Sequence, residues 1–519
     1  MPARARLGIL DRPTTLYAMA VVLAVRSAIL IVAAWPFTVD DAYITLRYAK
    51  HLAGGQGLVW NLGERPVEGY SNFLYVLLGA ASYRLGLDPI VVYKALGVVA
   101  LAVSGWLMYR IARQWVGPLP ATAPVIVFTS FYGPSWWAVS GLETLSYVAL
   151  VLAAAAASFA GLGYRQWPDT RRADRSDGWL VLSGLLVAFA AMTHPEGPVV
   201  GIAIAVGILI GTRSWRSVAV FAGAAALPYG LYFVWRWSYF DRLLPNPVYC
   251  KGGYEGYPLW LVEDLAVHAA PLMLVMAVAG WRRMDARQLI AIVLVLAYLC
   301  LLVGVDPILA QGSRHALAPL AVLVAVACAT ALARCSSTAG SAATVLLMCV
   351  STLLMLRLPG ELRENGLSYA RRTEARVGIG RWIDQTIPAG DSYVMGDAGV
   401  VTLPTERRMI DAYCLNSAVM TLPPINRSGA RYADWILRQN PGVIVVPSYS
   451  SDSLEVHPYM GVFPALVGAQ VFLTRYQHVR TVSVPGTIFQ YWIYVRRPST
   501  GALGAPLPGR RLRALGQSG

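Results

Sequence analysis

Long apolar stretches recur along the first 358 residues of this chain, and they constrain its fold more than any other feature. A helix that crosses a membrane needs about 20 consecutive apolar residues. Only 14% of the 519 residues are charged, whereas soluble proteins average about 25%. These facts exclude an ordinary soluble enzyme, a disordered chain, a collagen and a coiled coil, and they predict a mainly α polytopic membrane protein. The apolar stretches lie at residues 16–35, 72–85, 88–112, 120–137, 142–163, 178–193, 197–211, 216–236, 259–281, 287–304, 314–334 and 341–358.

Basic residues predict which loops face the cytoplasm. The chain carries 43 Lys and Arg against 28 Asp and Glu, a net charge of +15 that marks cytoplasmic loops here rather than a nucleic-acid partner. The most basic loop, RQWPDTRRADRSD (165–177), and the N-terminal MPARAR are both predicted to be cytoplasmic. An even number of crossings must then separate them, so the short stretch 72–85 is predicted to lie at the outer interface. The result is about 11 spanning helices, with everything after about Pro359 outside.

The same topology gathers five polar motifs from separate loops on the outer face. A single loop is often polar only because it contacts water, but convergence of several on one side indicates a site at the outer surface of the bundle. The motifs are VDDAYITLRYAKHL with the loop that follows (39–70), SGLET (140–144), THPEG (193–197), LPNPVYCKGG (244–253) and VDPILAQGSRH (305–315).

The last third of the chain changes in character, since charges become more frequent and short strand-like runs alternate with helical stretches. The runs at 392–401, 442–450 and 487–495 predict strands, and the spacing at 375–387 and 427–439 predicts helices. We therefore expect a membrane domain at 1–359, with its first outer loop at 36–87, an extracytoplasmic α/β domain at 360–497, and a disordered basic tail at 498–519.

The six cysteines are scattered, without CxxC or any metal-ligand spacing. The sequence therefore predicts neither a zinc site nor a disulfide framework. Cys250 and Cys414 can pair if both lie outside the membrane.

Two adjacent aspartates follow the first apolar stretch, and the run after them predicts a helix that begins at the pair. Asp40 would share a face with Ile44 and Arg47, and Asp41 would share another with Thr45 and Tyr48. One interpretation is structural, because carboxylates stabilise a helix N-terminus. The other is catalytic: one aspartate is a general base that deprotonates an acceptor hydroxyl, while its neighbour binds acceptor or a cation.

The run VDDAYITLRYAKHLAGGQGLVWNLGERPVEGYSNFLYVLLGA resembles the N-terminal signature of the GT-C superfamily of polyprenyl-phosphate-sugar-dependent glycosyltransferases. It is most similar to the branch that holds the mycobacterial terminal arabinofuranosyltransferases. The later GLET, PEG and LPN..Y.K motifs follow in the expected order, so the resemblance covers roughly residues 16–450. This chain departs from relatives that read RPEG, because it has HPEG.

The resemblance implies roles for individual residues. Asp41 or Asp40 takes the place of the catalytic carboxylate, and cations bind the donor phosphate. Glu143 matches an acidic residue that helps to bind metal in some members, which leaves open a divalent ion held by Asp41 and Glu143. The phosphate-binding candidates are Lys251, Arg314, His315 and Arg47. The substrate-binding candidates are Asn61, Glu68, Tyr70, Glu143, His194, Glu196 and Asn246.

Purely structural roles for these residues remain open. Glu143 can be an ordinary acid at a helix N-terminus. Lys251 can be a snorkelling interfacial lysine. The polar loop 61–70 can be a capped turn rather than a sugar contact.

The function implied is transfer of a sugar from a polyprenyl-phosphate donor to a cell-envelope glycan or lipid, outside the bacterial plasma membrane and with inversion. The sequence contains no Walker motif or Gly-rich phosphate loop, so the donor must already be activated. Two alternatives remain, a transporter or flippase of lipid-linked sugar and a non-catalytic envelope assembly factor of the same fold. A transporter more often places ionisable residues at the bilayer midplane, whereas these motifs lie at one surface.

Overall fold

The computed structural model describes residues 13–169, 172–252, 257–280, 284–450, 452–456 and 459–498. The N-terminal MPARAR and the tail beyond residue 498 lie outside the described residues, and so do the predictions made for them. Helices dominate up to residue 386 and are α1 (Pro13–Ala34), α2 (Asp41–Ala53), α3 (Phe73–Arg84), α4 (Pro89–Ala112), α5 (Ala123–Phe128), α6 (Tyr132–Ala138), α7 (Thr144–Gly161), α8 (Asp177–Thr193), α9 (Gly197–Thr212), α10 (Trp215–Phe240), α11 (Asn246–Lys251), α12 (Trp260–Gly280), α13 (Ala286–Leu301), α14 (Leu317–Leu332), α15 (Ser337–Leu354) and α16 (Leu358–Thr386).

Seven helices in the described part of the chain are long and apolar enough to cross a membrane. They are α1, α4, α7, α10, α12, the continuous segment Gln311–Leu332 that contains α14, and α15. Helices α8, α9 and α13 are also apolar but have only 17, 16 and 16 residues. A mainly helical membrane protein is therefore confirmed, whereas the count of 11 spanning helices and the topology built on it stay predictions.

The apolar stretch 120–137, predicted as one crossing, is broken instead. It forms a 3-10 turn at Pro120–Thr122 and the short helices α5 and α6, with Phe131 extended between these two. Pro134 lies in the first turn of α6, where its missing N–H does no harm, but it could not donate to the preceding turn of a continuous helix. Gly133 beside it packs against the backbone of Gly312, where any Cβ would collide with the Gly312 carbonyl. The break therefore brings α6 against the loop that carries Arg314.

The short helix α3 and the charged Arg26 both have the structural context expected in a membrane protein. Helix α3 has 12 residues and extends about 18 Å, which is less than the roughly 30 Å of a hydrocarbon core. Arg26 in α1 faces the bundle interior, where it donates to Ser351 Oγ at 2.7 Å and to the Ile126 carbonyl at 3.3 Å. A charged side chain in a spanning helix is expected to find such internal partners.

The C-terminal segment contains a five-stranded sheet of order β2-β1-β3-β5-β4. Strand β1 pairs in parallel with β2 and β3, while β5 runs antiparallel to β3 and β4. The strands are β1 (Ser392–Met395), β2 (Arg408–Asp411), β3 (Val443–Ser448), β4 (Tyr476–Ser483) and β5 (Gln490–Arg496), with helices α17 (Gly429–Arg438), α18 (Val462–Gly468) and α19 (Gln470–Arg475). The small α/β unit expected from the sequence is thus present, although β2 and β4 were not predicted.

The sheet packs directly on α2. Ile44 and Tyr48 of α2 share one apolar core with Tyr393 of β1, Tyr491 of β5 and Ile383 of α16. All five of these side chains are buried. Because burial of such side chains is the main favourable term in folding, the sheet and the end of the bundle that carries α2 form one packed body.

Candidate active site

A cavity of about 420 Å³, measured to its open mouth, lies where α2, α7, α11 and the turn before α14 meet. It is polar on most sides, because four of the five outer-loop motifs contribute to its wall. The lining residues are Asp41, Ile44, Thr45, Gly69, Tyr70, Ser71, Asn72, Leu142, Glu143, Pro247, Lys251, Arg314 and Leu415. The convergence expected from the sequence is therefore observed for Asp41, Tyr70, Glu143, Lys251 and Arg314.

Asp41 and Lys251 face each other across this cavity. The Nζ of Lys251 lies 3.8 Å from a carboxylate oxygen of Asp41, and the two side chains are 24% and 31% exposed. Asp41 begins α2 and Lys251 ends α11, which are the helix ends that favour an acid and a base respectively. A carboxylate that is held by one partly exposed cation can exchange that partner for a substrate group.

Glu143 forms the centre of a buried hydrogen-bond network at the cavity floor. It accepts from Asn72 Nδ2 at 2.6 Å and from an Nη of Arg314 at 3.3 Å. Asn72 in turn accepts from Thr45 Oγ1 at 3.0 Å. The Arg314 guanidinium also lies 4.9 Å from the centre of the Trp137 ring, which further fixes its plane.

A second polar cluster lies behind Arg314. His194 lies 3.9 Å from Glu143 and 3.7 Å from Glu196, and His315 lies 3.8 Å from the other oxygen of Glu196. A small cavity, separate from the one at Asp41, is lined by His194, Glu196, His315, Arg314 and Tyr147. These three predicted residues therefore lie behind the phosphate-binding candidate Arg314 rather than at the rim of the larger cavity.

Asp40 points away from the cavity, unlike its neighbour. Its two carboxylate oxygens accept from the backbone amides of Gly399 and Val400 at 2.8 and 3.1 Å, and Arg376 Nη1 lies 3.6 Å away. Burial raises the pKa of Asp40, against the lowering effect of Arg376 and the two amides. The structure therefore separates the aspartate pair, with Asp41 at the cavity and Asp40 in the contact between α2 and the C-terminal segment.

Two other predicted residues of the first loop are buried outside the cavity. Arg47 donates to the Trp60 carbonyl at 2.7 Å and to Asn61 Oδ1 at 3.3 Å, and it is only 2% exposed. Asn61 also donates to the Met409 carbonyl at 2.9 Å. Arg47 thus joins α2 to the loop that follows it, and Asn61 joins that loop to β2, so the structure does not bring either side chain to Lys251 or Arg314.

Glu68 and Asn246 are likewise buried in structural contacts. Glu68 accepts from Arg236 Nε at 2.7 Å, and burial raises the pKa of Glu68 to about 7 despite this ion pair. The Asn246 amide donates to the carbonyls of Cys414 and Leu415 at 2.7 and 3.0 Å. These residues position the loops around the cavity without lining it.

The residues present fit a divalent metal poorly. Among the described residues, no group of three His, Cys, Asp or Glu side chains has the arrangement of a metal site. Both oxygens of Glu143 are already engaged by Asn72 and Arg314. A metal held by Asp41 and Glu143 would have to displace the buried Arg314 from Glu143.

Some cavity residues were not selected from the sequence. Asn72 and Ser71 line the cavity directly after Tyr70, within the EGYSN run that carried the resemblance. The only sequence signal was the position of Asn72 directly before an apolar helix, where an asparagine is expected to cap the helix rather than to line a site. Leu415 could not have been found, since it reaches the cavity from far along the chain.

This bundle of apolar helices, with an acidic and basic cavity at one end and a small sheet packed over it, has the same fold as several solved structures. The chain aligns with ArnT from Cupriavidus metallidurans bound to undecaprenyl phosphate, with a TM-score of 0.55 and 14% identity, over 92% of this chain and 98% of that one. It aligns with the archaeal oligosaccharyltransferase AglB from Archaeoglobus fulgidus at a TM-score of 0.54 and 12% identity, over 92% and 74% of the chains. For the arabinofuranosyltransferase AftD from Mycobacteria the TM-score is 0.52 with 15% identity, over 93% of this chain and 40% of that one.

The sequence itself is similar to the terminal β-(1→2)-arabinofuranosyltransferase of Mycobacterium tuberculosis, with 26% identity over 281 residues. This match covers 49% of the chain and 43% of the relative, so the chain spans less than half the length of that protein. Residues 365–496 match a domain family described as a domain of unknown function, DUF8728. The resemblance to the GT-C superfamily and to its arabinofuranosyltransferase branch is thus confirmed.

Proposed function

We propose that this protein is a membrane glycosyltransferase that moves a sugar from a polyprenyl-phosphate donor to a glycan or lipid acceptor. The observation that carries the proposal is the opposition of Asp41 and Lys251 in one cavity, 3.8 Å apart, with Arg314 in the same wall. An acid that can take a proton and two cations that can hold a phosphate are the groups such a transfer requires. The relative crystallised with undecaprenyl phosphate supports this donor class.

The donor phosphate is assigned to Lys251 and Arg314. Lysine supplies a mobile point charge and arginine a planar fork, and both neutralise the charge that grows on the phosphate as it leaves. Arg314 is held in place by Glu143, so it needs little reordering when the donor binds. The prenyl tail would extend from the cavity mouth into the membrane.

The reaction is a displacement at the anomeric carbon. An acceptor hydroxyl oxygen attacks this carbon, its proton passes to the Asp41 carboxylate, and the bond from the carbon to the phosphate oxygen breaks. The electron pair of that bond leaves with the polyprenyl phosphate, whose charge is met by Lys251 and Arg314. Asp41 is released for its role when Lys251 turns to the phosphate. We expect inversion at the anomeric carbon, as the superfamily resemblance implies.

The extracytoplasmic side is the proposed location of the cavity. Cys250 and Cys414 form a disulfide, and Cys250 directly precedes Lys251. Disulfides persist in oxidising compartments and are rare in the cytosol. The positive-inside distribution of arginines supports the same orientation. The plasma membrane is the proposed location.

The test is transfer by the purified protein in lipid vesicles that contain a panel of radiolabelled polyprenyl-phosphate pentoses and hexoses, with arabinofuranose included. The result expected is a labelled acceptor formed from one donor, with Asp434→Asn on the exposed face of α17 as an active control. A labelled donor that crosses the bilayer without product would indicate the transporter. Absence of both, with an altered envelope glycan in a deletion strain, would indicate the assembly factor.

A further inference from the structure

Among the contacts between the C-terminal segment and the membrane domain, two involve the residues that directly precede the opposed cavity residues. Asp40 precedes Asp41, and Cys250 precedes Lys251. Each of the two is bonded to the segment between Arg376 and Leu415. Leu415 of the same segment also lines the cavity. The spacing of Asp41 and Lys251 therefore depends on residues that lie more than a hundred positions away in sequence from both.

The Lys251 side of the cavity is fixed by a covalent and a polar contact. The disulfide joins Cys250 to Cys414 across a sequence separation of 164. Asn246, at the first position of α11, donates to the carbonyls of Cys414 and Leu415. Helix α11 has only six residues, and a helix this short is not stable by itself. The position of Lys251 consequently depends on these attachments, together with the bond from the Asp306 amide to the Lys251 carbonyl at 3.0 Å.

The Asp41 side is fixed by an independent contact. The Asp40 carboxylate takes the amides of Gly399 and Val400, and Arg376 lies beside it at 3.6 Å. Arg376 also contacts Asp397 at 2.9 Å and donates to Tyr491 Oη at 2.8 Å, so it is anchored to the sheet. This contact fixes the first turn of α2, where Asp41 lies.

We propose that the C-terminal segment sets the separation between base and donor cation through these two contacts, with the Cys250–Cys414 disulfide positioning Lys251 and the Asp40–Arg376 pair positioning Asp41. The inference rests on the proposed function and deepens it. It makes the two contacts separable, because Lys251 acts on donor binding and Asp41 acts on the chemical step. Loss of the disulfide weakens donor binding, whereas loss of the Asp40 contact slows turnover.

The experiment measures binding of undecaprenyl phosphate by native mass spectrometry, together with kcat and donor KM for transfer. In Cys250→Ser/Cys414→Ser and in Asn246→Ala we expect the dissociation constant for undecaprenyl phosphate to rise about tenfold, the usual effect of a weakened charged contact. In Asp40→Asn we expect binding within about twofold of wild type and kcat lowered at least about tenfold, since a misplaced base costs rate. The matched control Cys335→Ser/Cys349→Ser removes two exposed free thiols elsewhere and should change neither quantity.

Equal binding by the wild type and the disulfide variant would overturn the proposal, as would an Asp40→Asn protein that loses binding rather than turnover. Failure of the proposed function is distinguishable from both. A wild-type protein that binds undecaprenyl phosphate but transfers no sugar refutes the transferase and leaves the binding comparison intact. Asn246→Ala retains the disulfide, so it tests the same contact in a chain that is still cross-linked.

Discussion

Arg314 donates to Glu143 at 3.3 Å, and the two side chains are only 10% and 3% exposed. A buried pair of this kind is costly to break by removal of one partner, because the other charge is left without compensation, at about 3–5 kcal/mol. The pair therefore holds Arg314, the proposed phosphate-binding residue, in the wall of the cavity. It also ties the second outer loop to the loop before α14.

Glu143→Gln should lower the thermal midpoint of the protein in detergent by several degrees, since Arg314 loses its counter-charge while Asn72 keeps an acceptor. The control is Asp434→Asn, which breaks the exposed pair with Arg438, whose side chains are 59% and 75% exposed. Exposed pairs contribute roughly 0–1 kcal/mol, so the midpoint of this control should hardly move. Equal shifts for the two variants would contradict the role given to Glu143.

Lys251→Ala should raise the KM for the polyprenyl-phosphate donor about tenfold and leave the KM for the acceptor within about twofold, because one charge-assisted contact to phosphate is removed. Steady-state kinetics with each substrate varied in turn provide the measurement. Lys50→Ala removes a lysine in the last turn of α2, at the opposite end of that helix from Asp41, and should leave both constants unchanged. Equal losses for donor and acceptor would exclude Lys251 from the phosphate site.

Asp411 is buried at the end of β2, and we expect it to make the stability of the folded protein depend on pH. Burial raises the pKa of Asp411 to about 6, although the amides of Asn416 and Tyr413 oppose the shift. The unfolded value is about 4, so the folded state binds the proton more tightly. The contribution of Asp411 is therefore complete below pH 4 and is lost as the pH rises through 6.

We accordingly expect the thermal midpoint of wild type to exceed that of Asp411→Asn by more at pH 4.5 than at pH 7.5. Asparagine cannot titrate, so the difference between the two proteins isolates this carboxyl from other groups such as Glu68. Melting curves in detergent at both pH values supply the measurement. A difference that is the same at the two pH values would show that Asp411 does not titrate in this range.

Part of the site could be predicted from the sequence, because charge and hydropathy predict that these polar loops lie on one side of the membrane, and the resemblance selects residues within them. Asp41, Lys251 and Arg314 come from loops far apart in the chain, yet the parity of the apolar stretches puts them on one side, and the structure brings them to one cavity. The start of α2 at Asp41 followed from the same local pattern. These features depend on short-range or global rules that a single sequence carries.

The sequence could not predict which of the two adjacent aspartates faces the cavity. Asp40 and Asp41 have the same chemistry and adjacent positions, and the partners that separate them are backbone amides at Gly399 and Val400. Backbone amides leave no mark in a sequence. The burial of Arg47 could not be predicted for the same reason, since its partners are the backbone carbonyls of Trp60 and Thr402, which a sequence does not reveal.

The broken stretch at 120–137 shows a limit of hydropathy. Its apolar content is that of a spanning helix, but Pro134 and the close approach of Gly133 to Gly312 divide it. The glycine contact is tertiary, so it could be recognised only after the fold was known. The proline was visible in the sequence and carried the usable signal.

The most direct test of the account is a single-turnover measurement of sugar transfer by wild type and Asp41→Asn, with undecaprenyl phosphate binding measured in parallel. Loss of a general base typically costs about 10²–10⁴-fold in rate, and an asparagine retains the shape of the side chain. We predict that Asp41→Asn binds undecaprenyl phosphate at least as well as wild type and transfers sugar at least about a hundredfold more slowly. Transfer by Asp41→Asn at the wild-type rate would contradict the account.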